Sequence, residues 1–334
     1  MTMSILPVSC RLLTVSLVLA LVAPPAASAQ TRAQGPWWPH PLWGPDDQIG
    51  ASNWITPEKV LAAVSLVRTG RVFELGQVYD AAMPMYPGRA FSMTLKAANP
   101  EPYGTNQVLF NTEVLATEIG QVGTQFDGLG HVGARVTMAD GTEKDVFYNG
   151  FTWEEIASPD GLTKLGVENV KPIVTRGILI DIAAVRGVPV LSAGTEVTVA
   201  DVQAGLRRQG MTEADIQPGD AIFLRYGWAT HWDEPSVSGT NPPGINVEVA
   251  RWVVARQAVL LGSDSYSNEL DPNPDPNLAY PVHQELVMRN GIHNLENLNL
   301  EELAASQVYR FLFVFTPLPI RGATGSPGRP IAIE

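Results

Sequence analysis

Gly120-Gln121-Val122-Gly123-Thr124-Gln125-Phe126-Asp127-Gly128-Leu129-Gly130-His131-Val132-Gly133 is the stretch from which the rest of the chain is best read. Five of its residues are glycine, a density too costly for a helix interior. The run also looks too polar for an ordinary buried strand. Its glycines predict tight turns, or backbone pressed close to a neighbour. Asp127 and His131, four residues apart, offer an oxygen and a nitrogen ligand, or a base, to one point.

Working outward, residues 108–117 alternate apolar and polar and predict a strand that delivers the chain to this stretch. Residues 137–150 read as loop and short strand, and 153–157 as a short helix. Earlier, Thr56 caps a helix with Pro57 at its first position, carried toward Gly70. A strand at 71–75 follows, and a proline-punctuated loop at 79–89. Beyond the glycine-rich stretch the pattern alternates: strands at 177–182, 221–226, 259–264 and 309–316, helices at 198–209, 246–257 and 281–289. β-rich material before residue 150 with alternating α and β after it predicts one α/β domain. The loop 265–280 is long, acidic and stiffened by prolines, and such loops are often functional.

The first residues predict export. Arg11, a short apolar run and Ala27-Ser28-Ala29 describe a secretory signal peptide over residues 1–29, and the run is too short to span a membrane. Its removal takes away Arg11 and no acid, moving the formal charge from −12 to −13. It also takes away Cys10, the single cysteine, which excludes disulfides, thiolate nucleophiles and cysteine metal sites. The acidic balance disfavours nucleic acid and anionic membranes as partners. A periplasmic or secreted address is expected, with a Trp/Pro-rich arm at 30–50 ahead of the main domain at 51–334.

Without cysteine, covalent catalysis would need a serine, yet no Gly-x-Ser-x-Gly elbow is present. No Gly-x-Gly-x-x-Gly is expected after a strand, and no phosphate-binding Gly-Lys-Ser/Thr occurs. Among the five histidines, His40 and His231 read as packed or surface residues. His131 and His283 stand in richer company. His283 opens a predicted helix just after the acidic loop, and Glu296 follows thirteen residues on. Asp127, His131, His283 and Glu296 would together make a hard oxygen/nitrogen site suited to Zn²⁺ or Mn²⁺.

These residues resemble the cyclase-like metal-dependent hydrolases, the family of bacterial kynurenine formamidase and isatin hydrolase. The family's signature, His-x-Gly-Thr-His-x-Asp-x-Pro-x-His, falls on Gln121 through His131. Further blocks follow in the family's order: Gly44–Gly50 with Asn53, Phe73 to Gly88, Leu224–Trp228, Gly262–Ser265, His283 to Glu296 and Gly325–Pro330. The chain departs where Gln121 and Gln125 replace both signature histidines and Leu129 replaces the proline.

The resemblance implies a compact domain of swivelling β/β/α type, usually assembled as a homo-oligomer, with the arm at 35–48 part of that contact. It implies a small-molecule substrate hydrolysed at a non-peptide C–N bond, foremost an arylformamide of the N-formylkynurenine type. Cleavage of a cyclic amide or lactone is the sibling reading, and a metal-free exported binding protein is the rival from another class. Asp127, His283 and Glu296 would hold one divalent ion, Zn²⁺ or Mn²⁺, and His131 would move the proton. The second ion is not expected, because its nitrogen ligands are the two glutamines. Gln121, Thr124 and Gln125 would touch substrate or water, or stiffen the loop.

Overall fold

The structure, a computed structural model, describes residues 35–96 and 101–334. The export signal at 1–29 and the first residues of the arm lie outside the described residues. No helix among them is long and apolar enough to cross a membrane.

One mixed sheet explains how distant residues meet. In order across it run Val72–Glu74, Ile331–Ile333, Arg310–Phe315, Ile173–Asp181, Ala221–Arg225, Leu260–Ser263, His293–Glu296, Gln125–Asp127 and Gly325–Pro327. The four strands from Ile173–Asp181 to His293–Glu296 are parallel to one another. The flanking pairs are antiparallel. Parallel neighbours need crossovers, supplied by helices Val199–Arg208 and Val247–Ala255 and by the helical segment that begins at Pro281. Local chemistry starts each where the sequence suggests. The Thr198 hydroxyl accepts from the Asp201 amide while the Asp201 carboxylate accepts from the Thr198 amide. Asn246 caps the second, and Thr56 caps Pro57–Val64 near the N-terminal side.

Period-two alternation sorts the parallel strands between two cores. Ile178, Ile180, Ile222 and Leu224 pack with the helix residues Val202, Leu206, Val249, Val253 and Leu286. Leu179 and Phe223 pack on the other side with Phe311, Phe313 and Leu303. Burial on both faces is why these strands read as nearly continuous apolar runs.

At the carboxyl ends of the parallel strands the polar groups gather. Arg225 pairs with Asp181 at 3.0 Å and with Glu301 at 2.6 Å. Beside them Asp264 accepts from the Tyr226 amide at 2.8 Å through Oδ1, while Oδ2 has no partner. Burial pushes the Asp264 carboxyl up to about 7, the Tyr226 amide and the Arg225 charge opposing this only in part. An unfolded aspartate releases its proton near pH ~4, so between those values the native state binds more protons. This group's contribution to stability therefore falls as pH rises from about 4 to 7. Asp264→Asn is expected to flatten that slope and to gain on the order of a few kcal/mol at pH 8. Urea unfolding at pH 5 and pH 8 checks it, and an unchanged slope in the variant refutes it.

Two expectations change here. Residues 108–117 yield the strand Thr112–Thr117, but it pairs with Phe91–Lys96 in a separate two-stranded ribbon. Met93 lies opposite Leu115, and both remain exposed, at 64% and 46%. Alternation reports a one-sided ribbon, not what covers it. The segment from Pro281 is also not a plain α-helix. One turn, Pro281–His283, runs directly into a π-helix at Gln284–Arg289. The described part of the Trp/Pro arm packs on the body itself. Trp38 is buried where Gly150 leaves room for its indole, and the His40 amide donates to Asn149 Oδ1 at 2.7 Å.

Candidate metal centre

The centre of the glycine-rich stretch is a buried strand, Gln125–Asp127, against the expectation from its polarity. Alternation resolves the conflict. Phe126 drops into the core against Phe315, with ring centroids 5.2 Å apart, while Gln125 and Asp127 share the opposite face. Its neighbour His293–Glu296 sets Gln125 across from Glu296 and Asp127 across from Asn294. The pairing brings Asp127 and Glu296 to one face from positions far apart in sequence. Two of the glycines around it show why the residue type is needed. Gly120 lies so close to the Gly325 backbone that a Cβ would collide, and Gly123 holds φ +62° against the Tyr79 ring. The spacing Gly128-x-Gly130-x-x-Gly133 does follow a strand, which corrects the expectation. However, it leads into the hairpin strand Ala134–Thr137, with no helix N-terminus to receive a phosphate.

The third element is His283. Glu269 fixes it from three directions: its carboxylate accepts from the Val282 and His283 amides, each at 3.0 Å, and from His283 Nδ1 at 2.5 Å. The helix start is thereby satisfied, and the imidazole presents Nε2 to the strand pair. Nε2 lies 3.5 Å from Asp127 Oδ2 and 3.3 Å from Glu296 Oε1. The glutamines take up the other carboxylate oxygens. Gln121 Nε2 donates to Asp127 Oδ1 at 2.8 Å, and Gln125 Nε2 to Glu296 Oε2 at 2.7 Å.

The oxygens left over are the informative ones. Asp127 Oδ2 and Glu296 Oε1 are buried without a hydrogen-bond partner, and both face His283 Nε2. With Nδ1–H committed to Glu269, a neutral His283 also points a lone pair at this spot. One ligand atom from each of Asp127, His283 and Glu296 lies within 4.8 Å of the others. Three electron-pair donors converging in a buried place need a cation between them. The residues present fit a divalent ion.

The electrostatics agree. Burial opposes charge on His283, yet the surrounding carboxylates of Asp127, Glu269 and Glu296 outweigh burial and hold its pKa well above the ordinary value. Burial, reinforced by the Asp127 charge, pushes Glu296 up to about 7. Burial also works against Asp127, but the neighbouring imidazoles of His131 and His283 and the hydrogen bond from Gln121 keep it below the usual carboxylate range. A proton held among these groups does part of the work a metal would do.

His131 stands at the rim. Its amide donates to the Gly128 carbonyl at 3.0 Å, and its Nε2 is 3.8 Å from Asp127 Oδ1. Burial lowers its pKa, the Asp127 charge offsetting this only in part. It faces a cavity of about 460 Å³, lined also by Gln121, Gln125, His283 and Glu296. Tyr86, Tyr266 and Tyr280 form an aromatic wall, with Asp271 accepting from the Tyr266 and Tyr280 hydroxyls at 2.9 and 3.0 Å.

Thr124, expected beside substrate or in loop support, is fully buried. Its hydroxyl donates to the Asn297 carbonyl at 2.7 Å and accepts from the Gln77 amide at 2.8 Å, so it braces the loop. His40 stacks on Trp43, and His231 sits 3.3 Å from Glu234, each outside the cavity lining. Sequence reasoning missed Glu269 and His293. His293 is buried beneath the site, its Nδ1 3.1 Å from the Asp127 carbonyl and its Nε2 3.1 Å from Ser52 Oγ. The signal for Glu269 was its place in the acidic loop, which the prolines after Asp271 overshadowed. Glu269→Gln is expected to weaken binding of Zn²⁺ roughly 10- to 100-fold, as for other partners that orient a ligating histidine. Isothermal titration of the variant measures this, and an unchanged affinity would remove Glu269 from the site.

The fold recurs in known proteins. The sequence model of a family described as putative cyclase matches residues 73–270. A solved structure of a novel cyclase is 30% identical, with a TM-score of 0.77, over 87% of this chain and 96% of that one. Isatin hydrolase A from Ralstonia solanacearum is 21% identical, with a TM-score of 0.58, over 84% and 98%. An isatin hydrolase bound to the product analogue thioisatinate is 18% identical, with a TM-score of 0.55, over 83% and 98%. At those lower identities the likeness is one of fold. No curated protein matches the chain. With more than half its length matched by the family and a relative at 30% identity, the chain belongs to the cyclase family.

Proposed function

We propose that this protein hydrolyses a non-peptide C–N bond, best represented by an arylformamide, using one divalent ion. The observation that carries the reading is the pair of partnerless buried oxygens, Asp127 Oδ2 and Glu296 Oε1, turned toward His283 Nε2. Asp127, His283 and Glu296 would hold the ion. Zn²⁺ or Mn²⁺ suits such donors, and when bound it supplies a Lewis acid that polarises a carbonyl and acidifies water.

The rest is the work of side chains. Gln121 and Gln125 fix the two carboxylates so that their free oxygens share one point. His131, neutral near pH 7 because burial lowers its pKa, takes a proton from the attacking water. It then returns that proton to the departing nitrogen, so that amide and water become acid and amine. The tyrosine wall offers flat apolar surface to an aryl group. The two glutamines occupy the positions the family uses to hold a further ion, so one ion per chain is proposed. Export to the periplasm remains part of the proposal, on the strength of residues 1–29.

The test is hydrolysis of N-formylkynurenine, of isatin and of simple lactones by protein supplied with Zn²⁺ or Mn²⁺. Turnover of the formamide supports the first choice. Turnover restricted to isatin or a lactone moves the assignment to the sibling reaction. No turnover, with no metal bound, supports the binding-protein reading instead.

A further inference from the structure

We propose that Arg89 is a recognition point for a carboxylate on the non-reacting part of the substrate, so that the substrate class is anionic. The proposal rests on the hydrolase reading above and deepens it. Arg89 is the one lysine or arginine on the cavity lining among the described residues. The same cavity is lined by Glu296 and His283 of the metal centre, so an anionic substrate has one favourable end and one unfavourable end. The reacting carbonyl would lie toward Asp127, His283 and Glu296, and the charge toward Arg89.

The guanidinium is held in place yet largely uncommitted. Its NH1 donates to the Gln121 carbonyl, and its Cζ lies 5.4 Å from the centre of the Tyr86 ring. The turn that carries it is closed by the Arg89 amide donating to the Tyr86 carbonyl at 3.1 Å. Among the described residues it makes no ion pair. Glu118 is near, but its carboxylate accepts from the Ala90 amide at 2.9 Å. A guanidinium has five donors in a planar fork that matches a carboxylate bidentately. Here one of them is used. A half-buried, braced cation in an aromatic-walled cavity, with most of its donors open, is built to take an anion.

Arg89 also ties recognition to the centre. The residue whose carbonyl it holds, Gln121, is the one whose side chain orients Asp127. A charged group docked on Arg89 would therefore sit one residue away from the metal-holding carboxylate.

Two measurements on zinc-loaded protein test the proposal. The first compares KM for formanilide and for a formanilide carrying a ring carboxylate. Wild type is expected to favour the carboxylate by at least about 10-fold, the range of a charge-assisted hydrogen bond. Arg89→Met is expected to bring the ratio to about one, and Arg89→Lys to keep part of it. The second measures benzoate binding by calorimetry, which needs no turnover. Arg89→Met is expected to weaken it by at least about 10-fold. Equal benzoate affinity in wild type and Arg89→Met overturns the proposal, whatever the activity. Benzoate binding that depends on Arg89, with neither formanilide hydrolysed, keeps the anion site and rejects the arylformamide reading.

Discussion

His283→Ala is expected to abolish stoichiometric binding of Zn²⁺, with a loss of affinity greater than about 100-fold. Mutation of a partner that merely orients a ligand already costs roughly 10- to 100-fold, and His283 supplies the only nitrogen among the three donors. The variant also leaves Asp127 and Glu296 facing each other without the imidazole that lies 3.5 and 3.3 Å from them. The metal-free variant should then favour a protonated Glu296, whose carboxyl is already raised to about 7. Glu296→Gln is the companion variant. It keeps a buried oxygen while removing the charge, so a loss of metal with the fold intact is attributable to ligation. Circular dichroism establishes the fold and isothermal titration the affinity. Full retention of metal by both variants would refute the ligand set.

His131→Ala is expected to behave in the opposite way, keeping its ion while turnover falls about 10²- to 10⁴-fold, the usual contribution of a positioned acid or base. Its Nε2 lies 3.8 Å from Asp127 Oδ1, near the centre but outside the three converging donors. Because burial lowers its pKa, the base form is present throughout the neutral range. Activity should fall on the acidic side as His131 gains a proton, and that limb should be absent from the residual activity of the variant. Loss of metal together with loss of turnover would make His131 a ligand rather than a proton carrier.

These two variants divide a stretch of sequence that at first reads as one unit. Asp127 and His131 are separated by a single turn, yet only Asp127 lies on the strand. The closure of that turn at Gly128 puts His131 at the cavity rim. The sequence pattern shows both residues but not the division of labour, because that depends on which one the sheet register fixes.

The strands at 177–182, 221–226 and 259–264 were legible because they are buried on both sides. The helices at 198–209 and 246–257 were legible because each carries its own cap, whereas His293–Glu296 was not legible as a strand. Gln125–Asp127 was not, because its polar face is covered by other polar residues, and hydropathy cannot distinguish that cover from solvent. The ribbon Phe91–Lys96 with Thr112–Thr117 failed in the reverse sense. Its apolar face looks like core and is exposed. The π-helix at Gln284–Arg289 left no sequence signal that separates it from an α-helix.

Of the candidate site residues, Asp127, His283 and Glu296 could be named from the family's spacing, and the structure places them together. Glu269 could not be reached this way. Its role depends on a loop returning its carboxylate to the start of the helical segment, where it meets two amides and an imidazole. The glutamines were visible as departures from the family, but their partners were not. That Gln121 faces Asp127 and Gln125 faces Glu296 follows from strand register and turn geometry alone.

The measurement closest to the central claim is metal content per chain. Purified protein, equilibrated with excess Zn²⁺ or Mn²⁺ and freed of unbound ion, should carry one ion per chain by plasma mass spectrometry. Glu296→Gln treated alongside should carry none. No ion in the unmodified protein, or two, would contradict the account.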